Sequence, residues 1–362
     1  MAYIKLDYSE LVCFCEKVFA GYGFSEEESR DIADVLLAAD LKGIESHGVQ
    51  RLVRYDDEIT SGVIKPERKN EIVFETPISA VIDAHSGMGQ LTAKNAMALA
   101  IQKAKTAGCG MVAVRNGNHY GIAGYYSEMA AKEDLIGVCM TNTEAIMVPT
   151  YGKQPMLGTN PIALAMPAEP FVFSFDCATT IVPRGKFEVY AKRQLPVPIG
   201  WGVDEEGRDS SETVRILNNI IEKKGGGILP LGGAHEDNGG HKGYGFGMLC
   251  EIFTGILSGG LTSDRVNRGL SEGNGICQYF MAIDYGIFGN KEAIKNDFSD
   301  YLARIRLSSK AEGASRIYTH SEKEVEMRKI RMEGGIPVNE KTLSEMKKIG
   351  ANVGFFPKTV EG

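Results

Sequence analysis

A histidine in a glycine-bounded loop, Asn116-Gly-Asn-His-Tyr-Gly121, is the residue of this chain best placed by its neighbours to do chemistry. It follows the apolar run Gly110-Met-Val-Ala-Val-Arg115, which reads as a buried strand, and a helical segment over 123–131 comes after it. Loops at the ends of buried strands are where open α/β proteins gather reactive groups. An imidazole there, His119, exchanges a proton near neutral pH. A second group is Glu45-Ser-His-Gly-Val-Gln-Arg-Leu52. If Ser46 caps a short helix, His47, Arg51 and Tyr55 follow at four-residue intervals on one face. An imidazole and a guanidinium aimed the same way suit an anionic substrate, because the planar fork of arginine matches a carboxylate. The plainer alternative is a surface Arg51 paired with Glu45 or Asp56.

Two further segments carry glycine beside positive charge. A strand is expected to end at Asp176, after which the small residues Cys177 and Ala178 permit close backbone approach, and Arg184 and Lys186 flank Gly185. Two fixed cations there suit a second acid group or a cofactor phosphate; in the alternative, Lys186 and Glu188 lie on a solvated helix. Further on, Leu229-Pro-Leu-Gly-Gly233 and Gly239-Gly-His-Lys-Gly-Tyr-Gly245 run into an apolar helix. Glycines ahead of a helix start offer free N–H groups and the positive end of the dipole to an anion, with Lys242 as a point charge. His85, His235 and His320 lie in no comparable setting.

Other chemistries lack their signatures. No Gly-x-Gly-x-x-Gly follows a strand, no P-loop order is present, and no Gly-x-Ser-x-Gly elbow exists. His47, His119 and His241 have no metal-ligand spacing, so no metal is expected. Net charge of −7 argues against nucleic acid or an anionic membrane as partner, and no apolar stretch is long enough to span a bilayer. Glu16 and Lys17 interrupt the one candidate for a leader's apolar region. Seven cysteines without regular spacing read as free thiols in a reducing compartment, Cys15 on the apolar face of a helix. A cytoplasmic protein is expected.

The elements that must position these groups alternate. Helices are predicted from Asp7 to Ala20 and from a Ser25–Glu28 capping box onward, then strands over 71–75 and 78–83, and a long helix over 90–107. Strands at 110–115, 135–142, 161–166 and 171–176 follow, with helices near 212–224, 244–257 and 291–305 and a strand at 276–284 between the last two. The tail, 322–332 and 340–349, reads as charged helix. Such alternation argues for an α/β protein.

Taken in order, these segments resemble the malate/L-lactate dehydrogenase family, over nearly the whole chain. The similarity runs through Ala39-Asp-Leu-Lys-Gly-Ile-Glu-Ser-His-Gly-Val-Gln-Arg-Leu52, Asn118-His-Tyr-Gly-Ile-Ala-Gly-Tyr-Tyr126 and Leu157-Gly-Thr-Asn-Pro-Ile-Ala163. It continues in Asp176-Cys-Ala-Thr179 with Arg184-Gly-Lys186, and in Pro230-Leu-Gly-Gly233 with His241-Lys-Gly-Tyr-Gly245. The resemblance implies an α/β fold with a mixed sheet outside the Rossmann type and flanking helical segments. It implies one family-length catalytic unit over 1–362, with a core at 75–290 between helical segments 1–70 and 291–362. It further implies a homodimer whose active site lies between domains and near the partner subunit.

The implied activity is hydride transfer between NAD, or alternatively NADP, and a 2-hydroxy or 2-keto acid, malate and oxaloacetate first. Lactate, sulfolactate or ureidoglycolate are the alternative substrates, and a non-catalytic nucleotide-binding member is the alternative class. His119 corresponds to the family's proton acceptor, and His47 with Ser46 to its catalytic motif. Arg51 and Asn118 fall on the substrate side, with Arg184 or Lys186 for a distal acid group. Thr143, Asp176, Cys177, Ala178, Leu231, Gly232, His241, Lys242 and Arg316 fall on stretches that hold the nucleotide. Thr319-His-Ser-Glu322 departs from the Pro-Gly-Glu of many members, and 234–238 lengthens the loop before His241.

Overall fold

The structure, a computed structural model, describes residues 3–266 and 273–360. It opens with strand β1 (Tyr3–Leu6) and helices α1 (Tyr8–Gly21) and α2 (Glu26–Leu41). Asp7 accepts from the Glu10 N–H at 3.0 Å, and Ser25 and Glu28 close the capping box that their spacing predicts. Two 3₁₀ turns, Glu45–His47 and Val49–Arg51, then lead into α3 (Leu52–Thr60). This corrects the expected helix capped by Ser46. Gly48 turns the backbone out of helical geometry (ψ −148°), so Ser46 lies inside the first turn and the continuous helix starts only at Leu52.

Next come β2 (Glu71–Glu75), β3 (Ser79–Asp83), α4 (Gly89–Ala107), β4 (Cys109–Gly117), α5 (Ala123–Lys132), β5 (Ile136–Thr141), β6 (Ile162–Met166) and β7 (Phe173–Cys177). A small lobe follows, built from α6 (Arg184–Lys192), β8 (Gly202–Val203), α7 (Thr213–Glu222) and β9 (Gly227–Ile228) around Phe187, Val197, Ile216 and Ile228. Helix α8 (Gly240–Glu251) starts a turn earlier than its apolar pattern predicts and continues as a π-helical turn, Ile252–Ile256. Strand β10 (Ile276–Ile283), α9 (Lys291–Leu307), α10 (Glu322–Gly334), β11 (Ile336–Asn339) and α11 (Glu340–Ala351) complete the chain.

The seven-stranded sheet runs β2-β3-β4-β10-β5-β6-β7. Only β3 and β4 are parallel, joined by α4 as crossover; every other pairing is antiparallel, so the sheet is mixed. Alanines of α4 (Ala93, Ala96, Ala100) and Tyr126 of α5 bury Val112, Val114 and Phe280 beneath them. A Cβ on Gly110 would lie 2.0 Å from the Ala100 carbonyl oxygen, and that close approach seats helix on strand. Strand β10, late in sequence, inserts between β4 and β5, bringing residues 274–278 beside the His119 loop.

The two ends of the chain share a second core. β1 pairs antiparallel with β11, Leu6 opposite Ile336, and Phe14, Phe19, Leu36, Tyr55 and Met346 pack in the same cluster. These four-residue strands are too short for a periodicity signal, and the sequence pattern misses both. No helix among the described residues is long and apolar enough to cross a membrane.

Candidate active site

Two loops from different layers meet at a pair of imidazoles. The first is the 45–51 turn. Beneath it lies Asp40, 2 % exposed, whose carboxylate accepts from the Val49 N–H at 2.8 Å. Gly48 rests on that carboxylate so closely that a Cβ would fall 2.0 Å from Asp40 Oδ1. Arg331 of α10, itself buried, donates to the Asp40 carbonyl at 2.6 Å and to Glu45 Oε1 at 2.8 Å. The turn is thereby pinned from both sides. Within it Ser46 Oγ meets His47 Nδ1 at 2.9 Å, and Arg51 Nε donates to the Ser46 carbonyl at 2.6 Å.

The second loop carries His119. Asn118, fully buried, donates to the carbonyls of Ser86 and Gly87, both at 3.0 Å, and accepts from the Asn274 N–H at 3.3 Å. Gln278 donates to the Asn118 carbonyl at 2.9 Å. Asn118 therefore shapes the loop rather than facing a substrate. The start of α4 closes the other side: a Cβ on Gly89 would lie 2.2 Å from the His119 carbonyl oxygen.

The loops bring His47 and His119 into a stack, ring centroids 5.6 Å apart. Tyr55 of α3, fully buried, meets His119 Nδ1 at 2.7 Å. The Nε2 atoms of both imidazoles have no partner among the described residues, which leaves one nitrogen of each for a ligand. Near this pair two buried polar atoms also stand without partners among the described residues, Gln278 Oε1 and Glu58 Oε2. Unpaired buried polar groups are costly and cluster where solvent or ligand enters.

Positive charge surrounds the imidazoles. Burial, then the guanidiniums of Arg51 and Arg54, push His47 down to about 4. Burial and the charges of Arg54, His47 and Arg51 hold His119 well below its ordinary value. Both rings are therefore neutral at neutral pH. Arg54 is held through Nε to Glu58 Oε1 at 2.8 Å, and Asn274 Nδ2 binds the same oxygen at 3.2 Å. Arg184, first residue of α6, sits close enough for its charge to act on Arg51, and pairs with Glu188 at 3.1 Å. Lys186 is exposed and has no side-chain partner among the described residues, in line with the solvated-helix alternative.

The segments resembling nucleotide-binding stretches converge beyond the imidazoles. Thr143 Oγ1 accepts from the Thr159 N–H at 3.0 Å, the Thr179 N–H donates to the Thr159 carbonyl, and the Leu231 N–H donates to the Thr179 carbonyl. Thr179, which follows Asp176-Cys-Ala178, thus lies beside Leu231. Gly243 packs on Leu231, where a Cβ would lie 2.2 Å from the Leu231 oxygen, so α8 begins against the same strip. Gly232 and Gly239 hold left-handed backbones, and no side chain caps α8. His241 and Lys242 stand exposed in its first turn, Lys242 without a carboxylate partner among the described residues. The N–H groups of Gly240 and Lys242 at this helix start donate to the His235 and Gly239 carbonyls, so the unpaired Lys242 side chain is the group there that suits a phosphate. Beside Asp176, which accepts from the Gly124 N–H at 2.7 Å, opens a cavity of about 270 Å³ lined by Lys42, Ile122, Tyr318 and His320. Arg316 lies outside that lining and is engaged by Glu322 and Glu326, both at 2.5 Å.

Sequence reading missed Arg54, Glu58, Gln90, Asn274 and Gln278. Arg54 and Glu58 stand three and seven residues after Arg51, so helical spacing held a signal for both. The others are brought in by tertiary contact alone. Among the described residues no three histidine, cysteine or acidic side chains group as metal ligands.

Comparison with known proteins agrees in breadth with this arrangement. The sequence model of the family described as malate/L-lactate dehydrogenase matches residues 6–347. A malate dehydrogenase of Pyrococcus abyssi is 43 % identical over 352 residues, 97 % of this chain and 96 % of that protein. An L-sulfolactate dehydrogenase of Methanocaldococcus jannaschii is 38 % identical over 341 residues, 93 % of this chain and 94 % of that protein. The crystal structure of malate dehydrogenase from Entamoeba histolytica superposes with a TM-score of 0.94 at 34 % identity, covering 98 % of this chain and 99 % of that one.

Proposed function

From the premise that this chain belongs to the malate/L-lactate dehydrogenase family of oxidoreductases, we propose that it oxidises malate to oxaloacetate reversibly, with NAD as hydride acceptor and His119 as the base. The observation that carries this reading is the neutral His119, fixed through Nδ1 by Tyr55 and stacked on His47, with Arg51 alongside. For His119 to act as base, Nδ1–H donates to the Tyr55 oxygen and the Nε2 lone pair takes the substrate's hydroxyl proton. Arg51 clamps the 2-carboxylate, and His47, oriented by Ser46, bonds the hydroxyl oxygen. A nicotinamide nucleotide, when bound, supplies the acceptor for the hydride on C2. As the proton leaves to His119, the C–O bond becomes a carbonyl; the reverse reaction returns the proton from the imidazolium.

Thr143, Asp176–Ala178, Leu231 and Gly232 would line the nucleotide, with the α8 start and Lys242 on its diphosphate and the cavity beside Asp176 at its adenosine end. NAD is favoured over NADP because Arg316, the cation considered for a 2′-phosphate, is held by two glutamates. A second copy of the chain is the expected partner. Phe246, Leu249, Ile252 and Ile256 leave an exposed apolar face along α8 and its π turn, continuous with Leu231 at the helix start. Covering it would bury large hydrophobic side chains that a lone monomer leaves in water.

The test is a set of initial rates with NADH and NADPH against oxaloacetate, sulfopyruvate and pyruvate. Oxaloacetate with NADH is expected to give the highest kcat/KM. Preference for sulfopyruvate would move the assignment to a sulfonated acid, and absence of turnover with every pair would overturn the catalytic reading.

A further inference from the structure

A base works only with a lone pair facing its substrate, so the role given to His119 fixes where each hydrogen around it sits. With Nδ1–H donating to the Tyr55 oxygen at 2.7 Å, Nε2 is left as the acceptor. The opposite arrangement, Tyr55 O–H donating to Nδ1, puts the ring hydrogen on Nε2 and leaves no lone pair for a hydroxyl proton. One contact distance serves both, and a group beyond the phenol must choose between them. Tyr55 is fully buried, so in the first arrangement its own O–H needs an acceptor inside the protein.

The start of α4 holds that acceptor. Gln90 is fully buried, and its side-chain amide bonds the Tyr55 hydroxyl. The amide has no other partner among the described residues. Its neighbours along the helix fix it there. Met88 belongs to the apolar cluster that contains Tyr55, and Leu91 packs against the same cluster. Gly89 sits so tightly on the other loop that a Cβ would fall 2.2 Å from the His119 carbonyl oxygen and 2.7 Å from that of Asn118. One turn of α4 thus touches both ends of the Tyr55–His119 bond. Methionine or leucine would fill the same place without the cost of burying an amide.

The two ends of an amide are alike in shape, so the surrounding bonds decide which faces the phenol. An NH2 facing Tyr55 leaves the phenol proton to His119 Nδ1, and Nε2 is then no base. A carbonyl facing Tyr55 takes that proton, and the phenol oxygen turns its lone pairs to Nδ1–H. We propose that Gln90 is a positioning residue that fixes the tautomer of His119: its carbonyl accepts the Tyr55 O–H, the Tyr55 oxygen accepts Nδ1–H, and Nε2 keeps the lone pair for the substrate's proton. The proposal rests on the reading of His119 as the base.

The experiment is a double-mutant cycle of Gln90→Met, Tyr55→Phe and the pair, read by steady-state oxidation of the 2-hydroxy acid that native enzyme turns over fastest. Methionine keeps the length of the side chain and removes the acceptor. Gln90→Met is expected to lower kcat about ten-fold, with KM and nucleotide affinity little changed. In the Tyr55→Phe background the same change should cost nothing further, because Gln90 acts only through the phenol. A native kcat in Gln90→Met, or the same loss with and without the phenol, would overturn the proposal. Nitrogen NMR of histidine-labelled native protein, with the His119 signals assigned by their loss in His119→Ala, reads the tautomer and needs no Gln90 variant. Hydrogen on Nδ1 is expected, and hydrogen on Nε2 would overturn the proposal. The rate of His119→Ala separates this role from the reading beneath it. Where that variant loses turnover and Gln90→Met does not, the Gln90 role alone falls; a native rate in His119→Ala removes both.

Discussion

Burial and two guanidiniums hold His119 and His47 neutral, and this sets how the protein should respond to acid. A base must be unprotonated to act, so oxidation is available above the folded-state pKa and lost below it. With His119 held well below the 6.5 of an ordinary imidazole, kcat/KM for oxidation should stay level as pH falls through that value and decline only in more acid solution. A half-maximal point near 6.5 in a pH–rate profile would contradict the shift. The same depression makes the folded state bind fewer protons than the unfolded chain. Its contribution to stability is present above the ordinary imidazole pKa and falls as pH drops from there toward the His47 value of about 4. Tyr55→Phe leaves Nδ1 of a buried ring without its partner, and kcat should fall about ten-fold or more, read by steady-state rates.

At the scale of elements, the 45–51 turn of the candidate site is clamped by a helix from the far end of the chain. Arg331→Met strips hydrogen bonds from the buried Asp40 carbonyl and from Glu45, and should cost about 1–3 kcal/mol in denaturant unfolding while raising KM for the acid. Gly48→Ala drives a Cβ into the Asp40 carboxylate and should lower both Tm and kcat. None of this clamp was legible in the sequence, because Asp40 and Arg331 are 291 positions apart and share no local pattern. What was legible is local. The capping residues of α1 and α2, the strands on either side of His119, and the ordered glycine segments each have a cause within a few residues. Ser46 was misread as a cap because Gly48, two residues on, breaks the helix before it starts. Four-residue spacing counted from His47 does not pick out Arg54, because α3 takes its register from Leu52.

At the scale of the whole molecule, the sheet order puts β10 between β4 and β5, so a segment late in sequence completes the His119 loop and the fold cannot form its site piecemeal. The exposed apolar face along α8 runs on from the helix start proposed for the nucleotide, and a second copy covering it would shield both. Leu249→Glu should therefore give monomers in sedimentation and weaken nucleotide binding; an unchanged sedimentation coefficient would place the dimer contact elsewhere. The most direct test of the central claim is the steady-state oxidation rate of His119→Ala beside native enzyme, with the 2-hydroxy acid that native enzyme oxidises fastest and nucleotide affinity measured in parallel. The account predicts a fall in kcat of about 10²–10⁴-fold with nucleotide binding retained. A kcat close to native would contradict it and remove His119 from the proton transfer.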